Sequence, residues 1–416
     1  MNAAELLKPG KLRRVAVAAG VVVTVVVLTG CQSVRRPATA PSARSSPLAT
    51  AATIGKTPAG AEPVVAAGPP WRIAHAHDYG EFDSMNVGVM VGSAEGWAFG
   101  QTNVGDELEP QFPVTLRWDG ASWRTVRLPG KFEGAFLSAS GSSRTDVWAV
   151  STSETGFANV LRFDGRRWTL ARRVQQDVSG VQAVGRHRVW LFGGYAGDTW
   201  FFDDGSWRRV RLPLRVTATS AASEEDVWAI GWRDDPDEDR AVVAHFDGRT
   251  WGTVSLGSAF GSPNDQAFTQ FTSVHAAARD DVWVFGTQTG SSVDHTDEGA
   301  SDGQEIPVAA HWNGRLWSQV PVPHGWQLGA VIGGTRGAVH VAATKLDQEG
   351  NSDYSAVLSY REDGSWTISN LPHPQGAKPF LSSFARVAAT GELYGFGFIE
   401  TDDGDRTSAI FVSDGS

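Results

Sequence analysis

A phrase that opens on Asp-Val-Trp and closes on Asp-Gly with a Trp just beyond recurs along this chain of 416 residues, and its last copy ends at Asp414-Gly415-Ser416 with no Trp after it. In the earlier copies the closing Trp follows the glycine after one or two intervening residues, at Trp123, Trp168, Trp207, Trp251, Trp317 and Trp366. The missing member is Trp71, far upstream. If the first strand of the folded region completes the last unit, end meets beginning and the architecture is a ring. An open stack of units would instead need capping repeats at both ends, and its incomplete last unit would leave a sheet edge bare.

Aligning the chain on its own phrase gives seven units, whose second strands carry Trp97, Trp148, Trp190, Trp228, Trp283, His340 and Tyr394 at one slot. Of the 17 Trp in the chain, 12 fall in this slot or the closing one, so the period is structural. The fifth unit parses into four short strands, Phe271 to Ala277, Asp281 to Phe285, Val308 to Trp312 and Leu316 to Val320. Asn313-Gly314 joins the last two, with Gly supplying the positive φ of a tight hairpin turn. Four-stranded units of about 40 to 50 residues are propeller blades. A twisted sheet cannot bury both faces alone, whereas radial stacking buries each blade against its neighbours. A Trp that buries about 200 Å² there contributes a gross driving force of roughly 5 kcal/mol. The expected fold is therefore all-β, a seven-bladed β-propeller of four-stranded antiparallel blades over residues 71–416, closed by the strand that Trp71 opens.

The apolar strand, the aromatic-Asp-Gly turn and the Trp opening the outer strand resemble kelch-type and galactose-oxidase-like propellers. The pattern is most similar to the repeat-bearing secreted propellers of actinobacteria, and the resemblance covers residues 71–416. The double glycine of kelch repeats occurs once, at Gly193-Gly194.

The N-terminal region reads as an address. Lys8, Lys11, Arg13 and Arg14 precede an apolar run, Val15 to Leu28, too short to span a bilayer comfortably but suited to a signal peptide over residues 1–30. Leu28-Thr29-Gly30-Cys31 resembles the lipobox of bacterial lipoproteins, which implies diacylglycerol on the Cys31 thiol and a lipid anchor outside the cytoplasmic membrane. Cys31 is the only Cys, so no disulfide competes for it. Residues 32–70 hold seven Pro and ten Ala without apolar periodicity and are expected to form a disordered tether from Cys31 to the ring.

Function is expected at one end of the ring. Loops joining second to third strands emerge together with the blade-to-blade connections, opposite the Asp-Gly turns. The length differences sit in those loops, chiefly 101–113, 232–241, 287–307, 344–355 and 398–408. Residues 71–416 contain 28 Lys and Arg against 44 Asp and Glu, and half of those acids lie in the seven loops. An acidic rim of this kind repels nucleic acid and suits a protein or glycan partner. No loop has the oxygen-ligand order of a calcium hand, and no metal or cofactor is expected. Ligand candidates on the connections are His75, His77, His324, Trp326 and His373; paired imidazoles could polarise a ligand and an indole could stack on a sugar. No catalytic residue stands out. The propeller lacks the Cys of a copper-radical site, and neither a phosphate loop nor a nucleophile elbow is present. A noncatalytic binding module is the leading reading. The alternatives are a carbohydrate-active enzyme with paired carboxylates near the axis, or a structural envelope scaffold.

Overall fold

The computed structural model describes residues 65–103, 112–129, 134–152, 156–194, 198–233, 241–256, 268–289, 305–334 and 338–413. They form seven antiparallel sheets in a ring, with no helix among them. The inner strands of blades 1 to 7 are Glu81–Gly92, Phe136–Ser143, Val178–Gly185, Arg215–Ser223, Phe268–Ala278, Trp326–Gly333 and Ala377–Arg386. Each touches the next around the axis, and the last touches the first.

Blade 7 is completed as the broken phrase requires. Its own strands Ala377–Arg386, Leu393–Thr401 and Arg406–Ser413 are joined by Trp71–His77, whose register runs from Trp71 opposite Ser413 to His77 opposite Ser408. One feature lay outside the sequence expectation. Val65–Ala67, inside the stretch assigned to the tether, runs parallel to the outer strand Trp366–Asn370 of blade 6 and adds a fifth strand there. From Val65 the chain thus meets the ring at blade 6 before entering blade 7.

The recurring Gly of the second-strand phrase has a local cause. Every inner strand carries a bulge at the same place, for instance between Val216 and Ala218 and between Phe271 and Ser273, opposite Gly231 and Gly286. The bulge presses an inner-strand carbonyl onto the second strand: a Cβ on Gly231 would lie 1.7 Å from the Arg215 oxygen, and one on Gly286 1.9 Å from that of Gln270. Only glycine admits so close a backbone approach without a shift. Nearer the axis, small hydroxyl residues bind one inner strand to the next. Ser138 Oγ accepts from Val181 N at 3.1 Å, Ser140 Oγ from Ala183 N at 2.7 Å and Ser220 Oγ from Ala276 N at 2.9 Å.

The two Trp slots meet across blade boundaries. Trp97 of blade 1 stands against the closing Trp168 of blade 2 at 5.0 Å and 88°, and Trp190 of blade 3 against Trp251 of blade 4 at 5.4 Å and 84°. Trp148 with Trp207 and Trp228 with Trp317 repeat the edge-to-face geometry. Tyr394 of blade 7 meets Trp123 of blade 1 in the same way, and Tyr360 mediates between Trp283 and Trp366. At the junction of blades 6 and 7 the second-strand slot holds His340. There Trp71 packs on Phe384 of its own blade, at 6.1 Å.

Trp71 is buried among Phe384, Phe411 and Ile332, so Trp71→Ala should destabilise the ring by about 3–5 kcal/mol, as truncation of a buried Trp does. Equilibrium denaturation measures this, and an unchanged unfolding midpoint would contradict closure through that strand.

Candidate functional site

The ring has two chemically different ends. The turns between inner and second strands lie beside the Asp-Gly turns: a Cβ on Gly120 would sit 2.9 Å from Ala94, one on Gly165 2.7 Å from Thr145, and one on Gly314 2.8 Å from Asp280. Acids at this turn end are largely engaged in structure. Asp146 Oδ1 accepts from Trp148 Nε1 at 3.1 Å and from Arg162 Nε at 3.2 Å, and the Arg162 guanidinium lies 5.2 Å from the Trp148 ring. Asp226 and Asp281 hold Trp228 and Trp283 in the same way, with His245 and His311 in place of the Arg, each stacked on its indole at 4.4 and 4.3 Å. In blade 1, Glu95 takes both arms of Arg117, which lies over Trp97. The Asp opening the repeated phrase is therefore a clip that orients the Trp two residues on, because successive odd positions of a strand share a face. The sequence displays the Asp and the Trp. The third-strand partner that completes the clip shows only once the register is known.

The loop end is where chain length varies. Residues 104–111, 153–155, 195–197, 234–240 and 290–304 lie outside the described residues, and with them the acidic stretches Asp234 to Asp239 and Asp294 to Gln304. Two loops of this end are described. Asp347 Oδ1 accepts from Glu349 N and Asn351 N, each at 2.8 Å, forming a closed turn whose carboxyl is held below the ordinary value by these amide bonds. In blade 7, Asp402 and Asp403 sit in an exposed turn closed by Thr401 N to Asp405 O at 3.0 Å.

The five candidate ligands do not converge. Trp326 is buried at the start of the blade 6 inner strand, edge-on to Tyr354 and with Lys345 Nζ 5.0 Å from its ring, so its indole serves packing. His324 and His373 are exposed on successive connections, and His373 Nδ1 bonds the adjacent Pro374 carbonyl oxygen at 3.0 Å. His75 and His77 do share a neighbourhood, with ring centroids 6.3 Å apart, and the link between blades 7 and 1 adds Tyr79 to them. Tyr79 OH lies 3.2 Å from His75 Nε2, and its ring stands edge-on to His77 at 4.4 Å. Burial, and then the neighbouring His77, hold His75 below its ordinary value. Among the described residues no three His, Cys, Asp or Glu side chains gather as metal ligands.

Beside this trio lies a residue that sequence reasoning missed. Asp83, third in the inner strand of blade 1, is buried; one oxygen accepts from Tyr79 N and the other has no partner. Burial pushes its carboxyl above the ordinary range. Hydrogen bonds from the Thr102 side chain and the Tyr79 amide oppose the rise, and Asp78 adds to it. Ser84 Oγ donates to Asn86 Oδ1 at 2.6 Å and Asn86 Nδ2 to Gln101 Oε1 at 3.3 Å, so the polar patch continues along the strand. Phe82, directly before Asp83, has φ 53°, a conformation that costs a non-glycine residue energy and often accompanies function. In the sequence Asp83 was one acid among many. Only the burial of its strand position singles it out.

No protein-family model matches this chain, and no curated protein is similar to it. Solved structures share its fold. A YCF48 protein bound to D1 peptide is 12% identical, with 85% of this chain and 99% of that one aligned at a TM-score of 0.53. U3-55K is 11% identical over 83% of this chain and all of that one, at 0.50. The β-propeller domain of the Trilobed protease from Pyrococcus furiosus, which has an open velcro topology, is 7% identical over 82% and 95% at 0.52. Identities this low establish the propeller and nothing finer.

Because burial raises the folded-state value of Asp83 above its ordinary 3.8, its ionised form weighs on stability above that raised value and not below 3.8. Asp83→Asn should therefore raise Tm at pH 7, with the gain over the parent shrinking as the pH falls towards 4. A variant less stable than the parent at pH 7 would show that the carboxylate is a structural acceptor instead.

Proposed function

We propose that this protein is a noncatalytic binding module, a propeller held by lipid outside the cytoplasmic membrane that engages a protein or glycan partner through its loop end. The observation that carries this reading is the asymmetry of the ring. Turn-end connections are minimal, and their carboxylates are tied to Trp, Arg and His. Length variation and negative charge are concentrated in the loops opposite. Binding surfaces vary where the scaffold does not need them constant. The YCF48 propeller was solved with a peptide, which supports a peptide-like partner for the same architecture.

Anchoring at Cys31 fits the entry of the chain. Trp71 pairs with Ser413 at the turn end, so a tether arriving there would leave the loops facing away from the lipid. Two acyl chains suffice for stable attachment, since each buried methylene contributes roughly 0.8 kcal/mol.

A second reading, a carbohydrate-active enzyme, is favoured by one observation. Asp83 is a buried carboxyl with a raised value on an inner strand at the loop end, next to His75 and Tyr79, and such a group is suited to general acid work.

Pull-down from envelope extracts tests the first reading. The full chain is expected to retain a saturable partner whose binding weakens with salt and is lost when residues 290–304 are replaced by a short turn, while Cys31→Ala shifts the protein from the membrane to the soluble fraction. Polysaccharide turnover that Asp83→Asn abolishes would replace this reading with the second.

A further inference from the structure

The clip described above is broken at the junction of blades 6 and 7, and it is broken in all of its parts at once. Five second strands begin with an acid, Glu95, Asp146, Asp226, Asp281 and Glu392, where blade 6 has Ala338. Its Trp slot holds His340, and its third-strand slot holds Ser359, whose Oγ lies 2.7 Å from His340 Nδ1.

A fourth substitution faces these from blade 7. The inner-strand position next to the turn is Gly141, Ala183, Ala221, Ala276 and Gly333 in blades 2 to 6 and Met90 in blade 1. In blade 7 it is Arg386, opposite Leu393. Phe384, two residues earlier, packs with Ile332 and Ala342 of blade 6, and the period of a strand turns Arg386 to the same side. Arg386 Nε is buried with no acceptor. Burial lowers the value of its guanidinium, and no carboxylate among the described residues opposes this.

Two imidazoles flank the guanidinium. A Cβ on Gly333 would fall 2.1 Å from His275 Nε2, and one on Gly334 2.6 Å from His340 Nε2, so adjacent glycines make room for both rings. Both imidazoles are lowered to about 4, chiefly by burial; Asp281 pulls His275 the other way and Arg386 adds to the lowering, while on His340 Arg386, His275 and Arg361 all act in the same direction as burial. In blade 2 the same place is a carboxylate site. Asp146 accepts there from Trp148, Arg162, Ser142 Oγ at 2.7 Å and the amide of His187 at 3.3 Å. Blade 6 has dropped the acid together with the Trp and Arg that bind it in blade 2, and blade 7 brings a buried guanidinium to the junction.

We propose that the turn-end junction of blades 6 and 7 binds a carboxylate supplied by another molecule, received by Arg386, His340 and Arg361 over Ala338. This site lies at the opposite end of the ring from the loops and is independent of the reading given for them. An incoming carboxylate takes the role that Asp146 plays in blade 2, meeting a planar guanidinium suited to two-oxygen recognition.

Thermal unfolding of the full chain in sodium acetate, against sodium chloride at equal ionic strength, is the test. Acetate should raise Tm saturably by about 2–4 °C and move the His340 imidazole resonances. Ala338→Asp, which returns a carboxylate to the slot, should raise Tm in chloride and abolish the acetate response. Arg386→Gln should abolish the response without that gain, and Arg386→Lys keeps the fold readable if Gln does not. A short peptide with a free C-terminus, compared with its amidated form, identifies the source: tighter binding of the free form than of acetate assigns a peptide carboxylate, and equal binding a small acid. No saturable difference between acetate and chloride, or an equal acetate effect in parent and variants, would overturn the site.

Discussion

Most blade boundaries are bridged by an indole set edge-on against another indole. The second-strand Trp of one blade reaches over the boundary to the closing Trp of the following blade, at 5.0 to 6.3 Å and 84 to 88° in four of the seven junctions. Both slots had to be filled for this contact to exist, which is why they are the two most regular features of the chain. Closure rests on a different contact: Trp71 opens the outer strand of the last blade from the other end of the folded region and packs on Phe384 of that blade.

The remaining regularities serve that contact. In blades 2, 4 and 5 the Asp two residues before the second-strand Trp fixes the indole through its N–H, and the third-strand Arg or His holds the Asp and covers the ring. Glycine within the second strand yields to the inner-strand bulge, and serines of one inner strand accept backbone N–H groups of the next. Where the Asp is replaced, by Glu95 in blade 1 and by Arg188 in blade 3, the buried Nε1 of Trp97 and of Trp190 has no acceptor.

Much of this was legible in the sequence because it repeats. Seven blades, four strands each and closure through Trp71 all follow from counting a phrase, and the expected stretches Asp281 to Phe285 and Val308 to Trp312 lie within the longer strands Asp281–Thr289 and Glu305–Trp312. Features that do not repeat were not legible. The short parallel strand Val65–Ala67 lies in a Pro- and Ala-rich stretch with no apolar period, and its pairing depends on the edge of blade 6 being within reach. Trp326 looked like a loop residue after His324-Gly325, yet it opens an inner strand, where burial follows from position. Asp83 and Arg386 are ordinary letters made exceptional by register, since each places a charge where the other blades put something neutral or exposed.

The central claim is that paired indoles across blade boundaries couple the blades. A double-mutant cycle on Trp190 and Trp251, with Leu at each position and unfolding free energies from denaturant titration, measures this directly. The account predicts a coupling of about 0.5–1.5 kcal/mol, the worth of an edge-to-face pair beyond its buried area, and none for Trp71 with His340, where no such pair forms. Additive losses at Trp190 and Trp251, within about 0.3 kcal/mol, would contradict it.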